Sequence, residues 1–326
     1  MRRRDFITII ASTAAAWPVA VRAQQTMPVI GFINAASAQN YARQLAAFHK
    51  GLAQTGYVNG QNVVIEYRWA DDQNDRLPAM AADLVHRQVA VIAATSTPAA
   101  IAAKATTTTI PIVFEMGGNP VELGLVASLR RPGGNVTGVT GLNVEVAPKR
   151  LELLHELLPT VRVMALLVDP TDSTTASPTV NEVLAAARAF GLQLHVLQAS
   201  SERDFEGVFA KLSQLGAGCL VVAGGPFFAS HGEQLAAMAL RHAVPVAFQR
   251  REFTTAGGLL SYGSDLTESY RLAGIYTGQI LKGDKPADLP VQQATKVELY
   301  INLKTAKTFG ITVPLTLSGR ADEVIE

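Results

Sequence analysis

Three short polar side chains, Thr95, Ser96 and Thr97, stand between the apolar run Val89 to Ala94 and Pro98. Proline is tolerated at a first helical turn, so this spacing predicts a strand, a turn and a helix start. Free backbone N–H groups and hydroxyls would then lie together, where they can hold a carboxylate. Ser96 or Thr97 can equally cap its own helix, because capping and anion binding use the same groups. A second set, Asn34 and Ser37 with Ala35 and Ala36 between them, follows the apolar run Val29 to Ile33 and offers amide and hydroxyl groups with room beside them. Two carboxylates, Glu115 and Asp265, also follow predicted strand ends and are candidates to accept a ligand ammonium, with Asp265 preferred. Asp265 has a second reading as the cap of the segment that begins Thr267-Glu268. Aromatic surface is offered by Phe227 and Phe228 after Gly224-Gly225-Pro226, by Tyr262, and by Phe248, which reads first as core. Arg250 and Arg251 can meet a carboxylate bidentately or form a solvated pair.

Other chemistries lack their parts. No Gly-x-Gly-x-x-Gly follows a predicted strand, and neither a Walker phosphate loop nor a Gly-x-Ser-x-Gly elbow occurs. The six histidines are scattered without a metal-ligand spacing. Cys219, the only cysteine, lies in an apolar run and reads as a buried thiol; no intramolecular disulfide can form. No cofactor or metal is expected, and an enzyme built on dispersed carboxylates is the rival reading.

The elements that must position these groups come in two similar sets, offset by about 130 residues. Apolar strands at Val29 to Ile33 and Val163 to Val168 lead into helices Tyr41 to Thr55 and Thr179 to Phe190, each stopped by a glycine. Strands Val63 to Arg68 and Gln193 to Leu197 follow, then helices Arg76 to Arg87 and Asp204 to Leu215. The apolar runs Val89 to Ala94 and Cys219 to Ala223 suit strands covered on both faces. Helices Pro98 to Thr106 and Glu233 to His242 then lead to Ile110-Pro111-Ile112-Val113-Phe114 and Val244-Pro245-Val246-Ala247-Phe248. Strands alternating with helices predict an α/β fold of two doubly wound, parallel-sheet lobes joined by a hinge. Residues 27–143 plus about 264–290 form the expected lobe 1, and 144–263 plus about 291–326 lobe 2, with the join near Asn143 to Pro148. Helix Leu266 to Leu281 is expected to return to the first lobe. A cleft between lobes is a preferred place for a small ligand, and the carboxyl ends of parallel strands face such a crevice.

At the amino terminus, Arg2, Arg3 and Arg4 precede an apolar run to Ala20 and small residues, the order of a secretory leader cleaved near Ala23. Arg3-Arg4-Asp5-Phe6 fits the twin-arginine pattern, with the general secretory route as the alternative. Loss of residues 1–23, with four arginines and one aspartate, leaves 24 basic and 26 acidic side chains and a net charge of −2. Without a basic run, no nucleic-acid partner is expected.

The chain resembles the ABC-transporter substrate-binding family of the TrpX-like type. Arg68-Trp69-Ala70, Asp75-Arg76-Leu77-Pro78, Asn119-Pro120-Val121 and Arg131-Pro132-Gly133-Gly134-Asn135-Val136-Thr137-Gly138 carry the likeness. Ile280-Leu281-Lys282-Gly283, Ile301-Asn302-Leu303-Lys304-Thr305-Ala306 and Arg320-Ala321-Asp322-Glu323-Val324-Ile325 extend it to the carboxyl end. The resemblance implies a type I periplasmic-binding fold, a monomeric periplasmic receptor for an amino acid or other small solute, and an ABC permease in the inner membrane as partner. A receptor that signals to a membrane kinase is the alternative within that reading. One departure is Asn119 where Asp often precedes the proline, which removes an Asp-based contact at that loop.

Overall fold

A computed structural model describes residues 27–326 except 142 and 295; the leader and its expected cleavage site lie outside the described residues. In the first lobe the strands are β1 (Val29–Asn34), β2 (Val64–Trp69), β3 (Val91–Ala94), β4 (Ile112–Met116) and β5 (Val136–Thr140), with helices α1 (Ala42–Gln54), α2 (Leu77–His86) and α3 (Thr97–Thr106) between them. Helix α4 (Asn143–Leu157) leads into the second lobe, with β6 (Val163–Val168), α5 (Ser173–Ala189), β7 (Gln193–Gln198), α6 (Asp204–Leu215), β8 (Leu220–Val222), α7 (Pro226–Ser230), α8 (Gly232–Arg241), β9 (Val246–Phe248), α9 (Arg251–Thr255) and β10 (Leu260–Ser264). The chain then runs through α10 (Leu266–Leu281), β11 (Gln292–Gln293), β12 (Val297–Asn302), α11 (Leu303–Thr308), α12 (Leu315–Ser318) and β13 (Glu323–Ile325).

Two sheets result, ordered β11-β5-β4-β3-β1-β2 and β13-β12-β10-β9-β8-β6-β7. All pairings are parallel except β10 with β12. The all-buried patterns of β3, β4 and β8 explain their unbroken apolar sequences, since helices cover both faces. The chain passes between the lobes at β5–α4, β10–α10 and β11–β12. These crossings are laced together: Ser264 Oγ donates to Gly141 O at 2.5 Å, and Ala294 N to Thr140 O at 2.8 Å. Arg150 is fully buried beside them, donating from Nε to Tyr262 O at 2.9 Å, and burial lowers its guanidinium to about 10.

Helix α10 belongs to the first lobe's helical layer, lying against α1 at very short range. A Cβ on Gly51 would sit 1.9 Å from Arg271 O, and one on Gly274 would sit 2.1 Å from Phe48 O. Only glycine permits that backbone approach.

Three local expectations can be set beside the structure. Helix α5 starts six residues before the expected Thr179 and contains Pro178 at its sixth position, where the missing N–H removes one helical hydrogen bond. The expected join at Asn143 to Pro148 is the first part of α4, again with a proline inside. Phe227 and Phe228, expected in a loop, lie in α7 and are buried. Cys219 is buried, as its apolar setting implied, and burial raises its thiol to about 12. No described helix is long and apolar enough to cross a membrane.

Candidate ligand-binding site

Parallel strands deliver their carboxyl ends, and the starts of the following helices, to one edge of each sheet. The two edges face one another across a cavity that both of them line, a preferred place for a small organic ligand. The first lobe contributes Tyr41 from the start of α1, Thr95, Ser96 and Thr97 after β3, and Glu115 with Met116 from β4. The crossing segments contribute Asn143, Val144 and Leu266. From the second lobe come Asp172, Thr175 and Thr179 around the start of α5, Gly224, Gly225 and Pro226 after β8, and Gln249 after β9.

Glu115 is the most unusual of these groups. It is 4% exposed, and its carboxyl makes no hydrogen bond among the described residues. Burial pushes it up to about 8, only partly opposed by the positive charge of Arg250. Such a group is costly to leave charged and unpaired. Asp172, by contrast, accepts from the hydroxyls of Thr174 and Thr175 at 2.6 and 2.7 Å. Tyr41 is neutral, because burial raises its phenol to about 12. The guanidinium of Arg250, from the second lobe, lies 4.9 Å from the centre of the Tyr41 ring. Among the described residues no arginine or lysine lines the cavity, whereas the carboxyl groups of Glu115 and Asp172 do.

The lobes are drawn together by direct polar contacts. Asn40 Nδ2 donates to Ser230 O and Ser230 Oγ donates to Asp72 Oδ1, both at 3.2 Å. Burial raises Asp72 to about 6 despite that hydrogen bond. Gln44 Nε2 and Arg43 Nη1 both approach Glu252 Oε1 at 3.5 Å. This arrangement is a closed cleft.

The residues singled out from sequence separate into two groups. Thr95, Ser96, Thr97 and Glu115 line the cavity together. Ser96 also caps α3, accepting from Ala99 N at 3.3 Å, and receives Ala35 N at 3.2 Å. Asn34 is spent on the scaffold: its amide donates to Thr95 O at 2.6 Å and Tyr270 Oη at 2.9 Å and accepts from Ala36 N at 2.8 Å. Ser37 accepts from Asn40 at 3.1 Å and lies outside the cavity wall. Phe227 and Phe228 pack with Phe205 and His231 in the second lobe's core and do not reach the cavity. Tyr262 is half-buried on β10, also off the cavity wall. Asp265, preferred as the ammonium acceptor, caps α10, accepting from Thr267 N at 2.9 Å and Glu268 N at 3.3 Å, and opens on a separate polar recess. Arg251 finds its carboxylate within the protein, donating from Nη2 to both oxygens of Glu323 at 2.6 and 2.7 Å.

Asp265→Ala is therefore expected to cost about 1 kcal/mol of stability, the worth of a helix cap. Ligand affinity should stay unchanged. Denaturant unfolding and a calorimetric titration of the same variant separate the two effects.

Tyr41, Asp172, Thr175, Thr179 and Gln249 are wall residues that the sequence reasoning passed over. A usable signal existed for two of them. Asp169 to Asp172 follow β6 as Ala35 to Ser37 follow β1, and Gln249 directly follows β9. The strand-end rule, applied to both copies, reaches Asp172 and Gln249. Tyr41 is out of its reach, because it comes from the far end of a loop.

The chain matches the family described as ABC transporter substrate binding protein over residues 7–325. It is 27% identical over 261 residues to a tyrosine-binding protein of Clostridioides difficile (strain R20291), covering 80% of this chain and 74% of that one. Among solved structures, a Vibrio cholerae conserved domain protein superposes with a TM-score of 0.85 at 25% identity, covering 92% of this chain and 100% of that one. An ABC domain from Streptococcus pneumonia in complex with L-Trp superposes with a TM-score of 0.81 at 27% identity, with the same coverage. The two-lobed α/β architecture expected from the repeat is the type I periplasmic-binding fold. The Clostridioides difficile relative is a tyrosine-binding protein and the Streptococcus pneumonia domain holds L-Trp, and the enzyme reading is set aside. A closed interlobe cavity, a repeated α/β lobe and a match across nearly the whole length lead to one assignment: the chain belongs to the ABC transporter substrate binding protein family.

Proposed function

We propose that the chain is the periplasmic receptor of an ABC importer for an aromatic amino acid, held between the closed lobes. One observation carries this reading: a buried, unpartnered carboxyl, Glu115, faces a cavity that both lobes line. A ligand ammonium supplies the missing partner and makes the charged form favourable. The ligand carboxylate then lies toward Thr97, whose N–H has no helical carbonyl partner, while Pro98 has no N–H and Ala99 N is taken by Ser96 Oγ. Met116, Val144, Pro226 and Leu266 give the remaining wall an apolar character that suits a ring. The tyrosine-binding relative and the L-Trp complex support the aromatic class. Because both lobes touch the ligand, binding stabilises the closed form, which an inner-membrane permease can read. A cleaved twin-arginine leader and a monomeric mature protein complete the proposal.

A thermal-shift screen tests it. Tyrosine, tryptophan and phenylalanine are expected to raise the melting temperature, each adding about 2.7 kcal/mol of stability at 100 times its dissociation constant. Stabilisation by sugars or amine-free anions alone would contradict the amino-acid reading.

A further inference from the structure

Glu115 and the side-chain amide of Gln249 are among the cavity groups that make no side-chain hydrogen bond among the described residues. Gln249 is 8% exposed, and neither end of its amide makes a hydrogen bond among the described residues, with Oε1 buried and unpaired. Its place is prepared by small neighbours. A Cβ on Gly224 would lie 2.1 Å from Oε1, and one on Gly263 would lie 2.2 Å from the Gln249 carbonyl oxygen. Gly224 is itself a wall residue of the ligand cavity, so the oxygen lies on that side. A half-turn of the amide exchanges its oxygen and nitrogen with nearly the same shape. Either group can therefore be presented to a ligand. A buried amide left without partners is costly, and the other polar wall group of the second lobe with a carboxyl, Asp172, is already satisfied by two threonine hydroxyls.

We propose that Gln249 reads the side chain of the ligand, selecting a ring that carries a hydrogen-bonding group. This rests on the aromatic amino-acid reading of the same cavity. With the ammonium held by Glu115 in the first lobe, the ring end reaches Gln249 in the second. An amide both donates and accepts, and so does a phenol hydroxyl; an indole N–H only donates, and a phenyl ring does neither. Tyrosine therefore satisfies the amide most fully, tryptophan in part, and phenylalanine leaves it buried and unpaired. A site built to pair a hydroxyl rejects the analogue that lacks it because the site's own polar group is stranded.

Calorimetric titration of the full mature chain with tyrosine, 4-aminophenylalanine and phenylalanine tests the assignment. Wild type is expected to bind tyrosine and 4-aminophenylalanine at least about tenfold more tightly than phenylalanine, the worth of one buried hydrogen bond. In Gln249→Met, which keeps length and removes both polar groups, the preference should vanish or reverse in favour of phenylalanine. Equal wild-type affinities for tyrosine and phenylalanine overturn the proposal without needing any variant, as does a preference that Gln249→Met leaves intact. If no aromatic amino acid binds at all, the underlying reading of the cavity falls, and this one with it; a flat preference among bound ligands sinks the Gln249 role alone.

Discussion

Glu115→Gln is expected to weaken aromatic amino-acid binding by about 10- to 150-fold while making the empty protein more stable above neutral pH. The first effect follows from the loss of a charge-assisted hydrogen bond in a buried site, worth roughly 1.5–3 kcal/mol. The second follows from the sign of the titration. Burial raises the Glu115 carboxyl of the empty protein from its ordinary 4.5 to about 8, so the folded chain holds this proton more tightly than the unfolded chain does. Its contribution to stability is whole below pH 4.5 and is lost as the pH climbs through about 8. Glutamine cannot ionise and escapes that loss. The melting temperatures of the two proteins should therefore converge below about pH 4.5, separate progressively up to about pH 8 and stay apart above it, with the variant the higher. Asp72 also titrates from a raised position, about 6, but it does so in both proteins and cancels in the difference. A uniform offset between the two melting curves at every pH would mean that Glu115 keeps its charge in the empty cleft.

The largest loss of stability is expected from Gly274→Leu. A Cβ there meets Phe48 O at 2.1 Å, and the colliding atom is helix backbone, which has no rotamer to adopt. Helices α1 and α10 must separate, which removes α10 from the layer that covers β3, β4 and β5. Overpacking of a core costs roughly 1–3 kcal/mol when side chains can yield, and a backbone collision belongs at or beyond the upper end. That corresponds to a fall in melting temperature of about 6–12 °C or to failure to accumulate as soluble protein. Gly207→Leu is the control, since nothing lies within 4 Å of a Cβ at that helical position. Leucine improves helix propensity at both positions, so similar losses from the two substitutions would show that the α1–α10 contact does not decide.

The repeat made the architecture legible before any coordinates. Unbroken apolar runs such as Val91–Ala94 and alternating helices of ten or more residues leave few alternatives to parallel sheets covered on both faces. Helix α10 was readable to the residue because Asp265 caps it and Gly283 follows it. The antiparallel β12 and the short β13 were not, because two- to six-residue strands that complete another lobe's sheet carry no period of their own.

The site divides along similar lines. Thr97 and Glu115 reach the cavity wall because a parallel strand must deliver its last and next residues to the crevice. Asp265 obeys the same rule and still misses the cavity, since its carboxylate is consumed by Thr267 N and Glu268 N. Strand ends tell which residues arrive at the crevice. They do not tell which of them the helix that follows will claim. Phe227 and Phe228 failed for another reason: Gly224-Gly225-Pro226 reads as a loop, yet Pro226 opens a short helix that turns both rings into the core.

The most direct test of the ammonium–Glu115 pairing is a calorimetric count of protons. Tyrosine is titrated into the mature protein near pH 7 in two buffers of different ionisation enthalpy. Below about 8 the empty protein carries Glu115 mainly protonated, so pairing with an ammonium must expel that proton. Release of close to one proton per ligand, absent in Glu115→Gln, is the predicted result. Heats that do not depend on the buffer, in a wild-type protein that binds tyrosine, would contradict it.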